Sequence, residues 1–289
     1  MAFNQPPRET WDELVNELIS IYEQAARKMI AYLSTIDFYS LTNSNSVERE
    51  INKILATADE QASSWVKKAI EEAYKTGAAY AMYCLGDARS LTISKELVNL
   101  DHPLAKIAIK TIAETTYADL LLMTQNTRQR IKDTITKVVI ENMKDKELGR
   151  SAREISNQII KDLREQAMKD VSFSIVDRAG KHWTVESYSK MIARTKIMQA
   201  QIDGTVNESL TREAFYGVIS SHGSKHASCA RWEGRIVKLD GTAPGDYPLL
   251  STLRMRGSGI FHPNCKHHVL PFRTFEILPP QIKAKNNIS

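Results

Sequence analysis

The chain has 289 residues and a mass of 32.6 kDa, with 42% hydrophobic and 25% charged residues, a balance that supports a packed core and excludes wholesale disorder. No apolar run approaches the roughly 18–20 residues of a membrane span, and Met1–Glu9 lacks the basic flank and apolar stretch of a signal peptide, so a soluble protein made in the cytosol is expected. The net charge of +5 is uneven: residues 181–289 hold 15 Lys and Arg against 8 Asp and Glu, whereas residues 1–180 hold 24 against 26.

Glycine and proline divide the chain. Of 12 glycines, 7 lie between Gly217 and Gly259, and of 9 prolines, 6 lie between Pro244 and Pro280. The first 170 residues can therefore run in long helices and the last 75 cannot.

Thr10-Trp11-Asp12-Glu13 reads as a capping box, and Leu14, Leu18, Ile21, Tyr22, Ala25 and Met29 follow at helical spacing. After the polar break Thr42–Ser46, a second helix is predicted from about Val47 to Tyr83. It turns Ile51, Ile54, Leu55, Ala58, Ala62, Trp65, Val66, Ala69 and Ala73 inward and is closed by Gly86 and Asp87. Pro103 suits the first turn of a third helix, which reaches about Lys146 and would be roughly 60 Å long. Ser151-Ala152-Arg153-Glu154 opens a fourth, to about Met168. This arm shows no charge cluster placed for burial, which marks it as scaffold. Gly77, Gly86 and Gly149 read as helix ends rather than hinges.

The period then changes. Val171–Ile175 alternates, Asp177–Gly180 turns, and Lys181–Val185 can return as a second strand. Thr184 can cap a helix that ends near Thr211, and Ala214–Ser220 is apolar enough to be a central strand. The fold class is α+β: a helical arm over residues 1–170, a small mixed module with short strands and Gly/Pro-rich loops over 171–275, and a tail over 276–289.

Five of the seven histidines and two of the three cysteines fall between His222 and His268. The three cysteines are too few and too odd a set for a disulfide framework. Two His-x-x-Cys units recur, His226–Cys229 and His262–Cys265. This spacing lets two side chains of one turn meet one metal, and two such turns supply the Cys2His2 set that a structural zinc takes. His226, Cys229, His262 and Cys265 are the candidate ligands, with His222, His267 and His268 in reserve. The same residues are also accounted for as hydrogen-bonded loop residues around a buried free thiol.

Catalytic readings use the same cluster. Cys229 or Cys265 beside a histidine could act as nucleophile and base. His222 and His226, with Lys225, Arg231 and Arg235, could make a metal-free ribonuclease-like site, although no third orienting group is evident in the sequence. Arg231, Arg235, Arg254 and Arg256 are candidate nucleic-acid contacts, the last two in the flexible, cationic segment Arg254–Gly259 that also reads as a solvated loop. A zinc-stabilised DNA-binding module with a helical oligomerisation arm fits the same pattern. Phosphate-loop, dinucleotide-binding, zinc-protease and serine-hydrolase motifs are absent.

Ser220-Ser221-His222-Gly223, Cys229-Ala230-Arg231-Trp232-Glu233-Gly234-Arg235, Tyr247-Pro248 and Ile260–His267 follow one another in an order that resembles tailed-phage minor capsid or head-morphogenesis proteins, the group of the Mu F-like proteins. Ala179–Trp183, Tyr188 and Arg194-Thr195 resemble them as well. The similarity covers about residues 171–275; the arm matches in helical character only. Relatives often carry a second cysteine close to the first, where this chain has His226. The resemblance implies a non-enzymatic structural role inside the procapsid or virion, association with the portal protein and with major capsid or scaffolding protein, contact with packaged DNA, no membrane, and help in head assembly, DNA packaging or DNA delivery. Structural zinc, read from the His-x-x-Cys spacing, is the cofactor expected.

Overall fold

The computed structural model describes residues 11–33, 35, 44–146, 161, 175–176, 182–255, 260–262 and 265–288. The first helices are α1 (Asp12–Leu33), α2 (Ser44–Cys84), α3 (Leu91–Leu97) and α4 (Pro103–Lys146). A short hairpin follows, β1 (Ile175–Val176) with β2 (His182–Trp183), and then α5 (Val185–Thr211). The last part comprises β3 (Tyr216–Ile219), α6 (Ala227–Ala230), β4 (Ile236–Lys238), α7 (Leu250–Leu253), β5 (Val269–Phe272), a 3-10 turn (Phe275–Ile277) and α8 (Pro280–Lys285). This is the α+β class expected from the sequence. The expected boundary near residue 170, the turn Asp177–Gly180 and almost all of the helix expected over 151–168 lie outside the described residues.

The chain divides into two compact units whose limits fall within α2, α4 and α5: one comprises residues 12–66 and 115–193, the other residues 1–11, 67–114 and 194–289. In the first unit, Met29 and Leu33 of α1, Val47, Ile51 and Leu55 of α2, and Ile131 of α4 form one apolar cluster. Every α2 residue expected to face inward is buried except Ile54, which is half-buried. The buried row of α4 was not legible, because Thr116, Thr124, Thr127 and Thr134 occupy it alongside Leu120, Met123 and Ile131. The Thr127 hydroxyl donates to the Met123 carbonyl at 3.0 Å and Thr124 to Leu121 at 3.0 Å, so these side chains enter the interior already satisfied.

One expectation for the arm is corrected. Asp59 of α2 is buried, and its Oδ2 accepts from Nη2 of half-buried Arg128 on α4 at 2.7 Å, so one carboxylate does lie inside the helices. Burial raises the Asp59 carboxyl above the usual range, and hydrogen bonds from Thr124 and Arg128 offset that only in part.

The second unit is organised by a backbone contact between α2 and α5. A Cβ on Gly77 would lie 1.8 Å from the Gln201 carbonyl oxygen, and one on Gly204 would lie 2.1 Å from that of Tyr74. Gly77 is therefore a packing glycine within α2 and not a helix end. Thr205 Oγ1 donates to the Gly77 carbonyl at 3.0 Å, and Asn207 Nδ2 donates to the Tyr74 hydroxyl at 3.0 Å. Gly86 (φ +75°) does end α2, its N–H donating to Tyr83 O at 3.1 Å while that of Asp87 donates to Met82 O at 2.9 Å, the αL closure a glycine provides. Gly149 lies outside the described residues.

β3 is central in an antiparallel sheet of order β4-β3-β5, with Gly217 opposite Val237 and Pro271. Both sheet faces are covered. Ile219, Val237 and Val269 join Ile202 of α5, Leu250, Leu253, Ile260 and Phe261 on one side. Tyr216, Val218, Ile236, Leu270 and Phe272 join Cys84 of α2 and Leu278 on the other. Strands buried on both faces read as short apolar runs without alternation, which is why β4 and β5 were not predicted. Pro271 is tolerated because β5 is an edge strand.

Asp87 ties the end of α2 to the sheet. Arg273 donates to Asp87 through Nη1 (3.1 Å) and Nη2 (2.8 Å) and to Leu85 O (3.0 Å), and Arg212 Nη1 donates to Asp87 Oδ2 at 3.1 Å. Burial alone would raise the Asp87 carboxyl, but the guanidinium groups of Arg273 and then Arg212 outweigh it and hold the carboxyl below the usual range.

Two outcomes are expected. Gly77→Ala should lower unfolding stability by about 1–3 kcal/mol or more in chemical denaturation, because the new methyl meets main chain that cannot rotate away. Because Asp87 ionises more readily folded than unfolded, its contribution is complete above the ordinary carboxyl pKa of about 4 and fades as pH falls through the lower folded value. Urea midpoints measured from pH 6 to pH 2 should therefore fall less steeply at the acid end in Asp87→Asn than in the wild type.

Candidate metal centre

The site grows from the sheet end where β3 stops and β5 begins. Ser220 N–H donates to His268 O at 2.9 Å, and His268 N–H donates to Ser220 Oγ at 3.0 Å, which holds the segments flanking the two strands side by side. The segment after β3 turns through α6, where the His226 carbonyl accepts from Cys229 N–H (3.0 Å) and Ala230 N–H (2.9 Å). It re-enters β4 at Gly234, whose φ of +71° and N–H bond to Ile219 O (2.9 Å) make the return tight. The segment before β5 turns at His262, whose carbonyl accepts from Cys265 N–H at 2.8 Å. Both His-x-x-Cys units are thus closed turns.

The thiol and ring nitrogen atoms of Cys229, His262 and Cys265 lie within 4.8 Å of one another. Cys229 Sγ is 3.0 Å from His262 Nε2. Cys265 Sγ is 3.3 Å from His267 Nδ1, and the opposite nitrogen of that ring, Nε2, is 3.1 Å from Glu233 Oε1. The same oxygen accepts from the backbone N–H groups of His222 (3.1 Å) and Ser224 (3.0 Å), with His222 Nδ1 at 3.7 Å. His226 is exposed, and its ring meets that of His262 at a centroid distance of 5.6 Å. Of the four ligands nominated by spacing, the structure draws three together. His267, held in reserve, is buried at 2% exposure.

The electrostatics follow from this packing. Burial, and then the proximity of Cys265, push the Cys229 thiol up. Burial would raise Glu233, but the His222 and Ser224 N–H groups and then His267 hold it below its usual range. Burial lowers His267 more than Glu233 raises it, so its neutral imidazole is favoured. Two thiols and two imidazoles form a soft donor set. Cys265, His267 and Glu233 also have the order of nucleophile, base and orienting carboxylate. Glu233 is the third group that sequence reading missed; an acid eleven residues from His222 and thirty-four from His267 gives no local signal.

The remaining predicted contacts scatter. The Arg231 guanidinium lies 5.4 Å from the Trp232 ring centre, Arg235 Nη1 donates to Lys285 O at 2.8 Å, and Arg254 pairs with Asp203. Arg256 lies outside the described residues. His222 packs on His267 at 4.1 Å between ring centres, and His226 on His262, so the two histidines of the ribonuclease-like reading have different partners.

Of the residues that carry the resemblance, Ser220, His222, Cys229, Trp232 to Gly234, His262 and Cys265 line this corner or support it, while Tyr247 lies toward the start of β3. Tyr247 joins a ring cluster with Tyr216 and Phe275, and Trp232 packs against the core that contains Ile219 and Val269. A family model described as phage minor capsid protein 2 matches residues 9–283. The chain belongs to that family. No curated protein and no solved structure matches it. A minor capsid protein is a component of the virion that meets other phage structural proteins, and among the described residues of this one no helix is long and apolar enough to cross a membrane.

The three thiols of this minor capsid protein should differ in reactivity. In metal-free native protein, half-buried Cys265 should be alkylated first. Cys84 should be last, since it is buried and its thiol is pushed up to about 12. Mass spectrometry of a time course reads the order.

Proposed function

We propose that this minor capsid protein acts without catalysis inside the phage head, associated with the portal protein and assisting head assembly and the packaging or delivery of DNA. The observation that carries the reading, beyond family membership, is an exposed aliphatic row in α3 and the first turns of α4. Ile93 and Leu97 are 43% and 56% exposed, and Leu104 and Ile107 are 48% and 64% exposed. Their spacings of four and three residues put each pair on one helix face. Helix faces of this kind are what assembly covers. Ser90 caps α3 by accepting from Ile93 N–H at 3.3 Å, and His102 Nδ1 accepts from Leu104 N–H at 3.3 Å, so both faces start from fixed helix ends. The basic C-terminal part suits a neighbour that is itself acidic, packaged DNA included.

Co-expression with the portal protein of the same phage, followed by size-exclusion with mass measurement, tests the reading. A defined complex that survives high salt is expected. The double variant Leu97→Asp, Ile107→Asp should bind at least about tenfold more weakly while keeping its unfolding midpoint. A monodisperse wild-type chain with no complex overturns portal association. Cleavage of RNA or DNA between pH 5 and 8, lost in His226→Ala, overturns the non-enzymatic role.

A further inference from the structure

We propose that Cys229, His262, Cys265 and His267 bind one zinc ion tetrahedrally, with Glu233 orienting His267 from behind. The assignment replaces His226, which spacing nominates, by His267, which geometry nominates. With metal–sulfur bonds near 2.3 Å and metal–nitrogen bonds near 2.0 Å, two ligand atoms of a tetrahedral zinc stand about 3.5 Å apart. Cys229 with His262, at 3.0 Å, and Cys265 with His267, at 3.3 Å, already stand close to such edges. The trio of Cys229, His262 and Cys265 supplies one face of the tetrahedron, and the fourth donor must border it.

Two histidines border that face, and they differ in what holds them. The backbone of His226 closes the α6 turn, while its ring stands in solvent, edge-on to His262. His267 is buried and clamped at both nitrogens. Glu233 Oε1 already accepts two backbone N–H groups, so the contact with His267 is a third N–H donated to it from Nε2. In the neutral ring, Nδ1 then carries the lone pair, and it faces Cys265 Sγ. A ligating imidazole whose far N–H is fixed by a carboxylate is the usual outer arrangement of a metal histidine. The second trio, His222, Glu233 and His267, shares His267 with this site, and Glu233 Oε1 there already meets three N–H donors. Catalysis at a thiol needs one cysteine, whereas both cysteines and His262 converge here with His267 against Cys265, and that favours a metal over a nucleophile.

The ion would join the segment leaving β3 to the segment entering β5, adding to the Ser220–His268 bonds and the Glu233–His267 contact. The inference stands apart from portal association, so either can fail alone. It is tested on the full chain loaded with zinc, dialysed and assayed for metal by mass spectrometry, and in parallel loaded with cobalt(II) for its absorption spectrum. One zinc per chain and a tetrahedral cobalt spectrum with thiolate charge-transfer bands are expected. His267→Ala should lose that spectrum, while His226→Ala and His222→Ala keep it. Glu233→Gln should retain the spectrum but bind zinc about 10–100-fold more weakly in chelator competition. His267→Cys guards against a variant that merely unfolds: it should still bind, with charge-transfer intensity about 1.5-fold higher as three thiolates replace two. A wild-type chain that retains no zinc overturns the site. Loss of the spectrum in His226→Ala with retention in His267→Ala overturns the ligand assignment.

Discussion

The backbone approach of α2 and α5 at Gly77 and Gly204 is the constraint on which the second unit depends. At these two positions each helix meets a carbonyl of the other where even a methyl group has no room. Main chain that close cannot slide by a side-chain adjustment, so the crossing point sets how α5 lies over α2. From it follow the reach of Thr205 to the Gly77 carbonyl and of Asn207 to Tyr74. The far end of α5 then brings Arg212 to Asp87, where Arg273 arrives from the end of β5. A helix pair and a sheet distant in sequence are joined at one carboxylate.

The sheet in turn makes the corner where the cysteines and histidines meet. β3 lies between β4 and β5, so the segment that leaves it and the segment that enters β5 emerge at the same sheet end. Both sheet faces are packed, by α5 on one side and by Cys84 and the C-terminal segment on the other. The connecting loops are therefore left to organise themselves through caps, turns and hydrogen bonds. Phe261 shows the cost: it sits at φ +57°, in the left-handed region that favours glycine, with its ring buried in the core. A residue held this way fixes the backbone next to His262, where a metal crosslink would supply what the loop lacks in apolar contacts.

The residues on which the resemblance rests divide by what they do. Cys229, His262 and Cys265 bring donor atoms together; Glu233 and Ser220 hold neighbours through hydrogen bonds; Gly234 permits the return; Trp232 and Tyr247 pack. Most of a motif spread over nearly fifty residues thus meets at one sheet end, while Tyr247 packs on Tyr216 at the start of β3. Its spacing records the loop lengths that a three-stranded sheet imposes between its ends.

The amino-acid order determined the long helices, because periodic burial, Pro103 at a first turn, the Thr184 cap, whose Oγ1 accepts from Ser187 N–H at 3.0 Å, and the Gly86 stop are all local. It also determined the central place of β3, an apolar run too short for a helix, and the two His-x-x-Cys turns. Tertiary structure alone decided three matters. Thr124, Thr127 and Asp59 can be buried because partners arrive from the same turn or from another helix. Gly77 is a crossing because Gln201, far along the chain, stands against it. And His267 is fixed beside Cys265 by Glu233, which reaches it across the sheet end, while His226 stands exposed. Each is a pairing between residues far apart in sequence, and no local pattern records which distant groups folding will bring within hydrogen-bond reach.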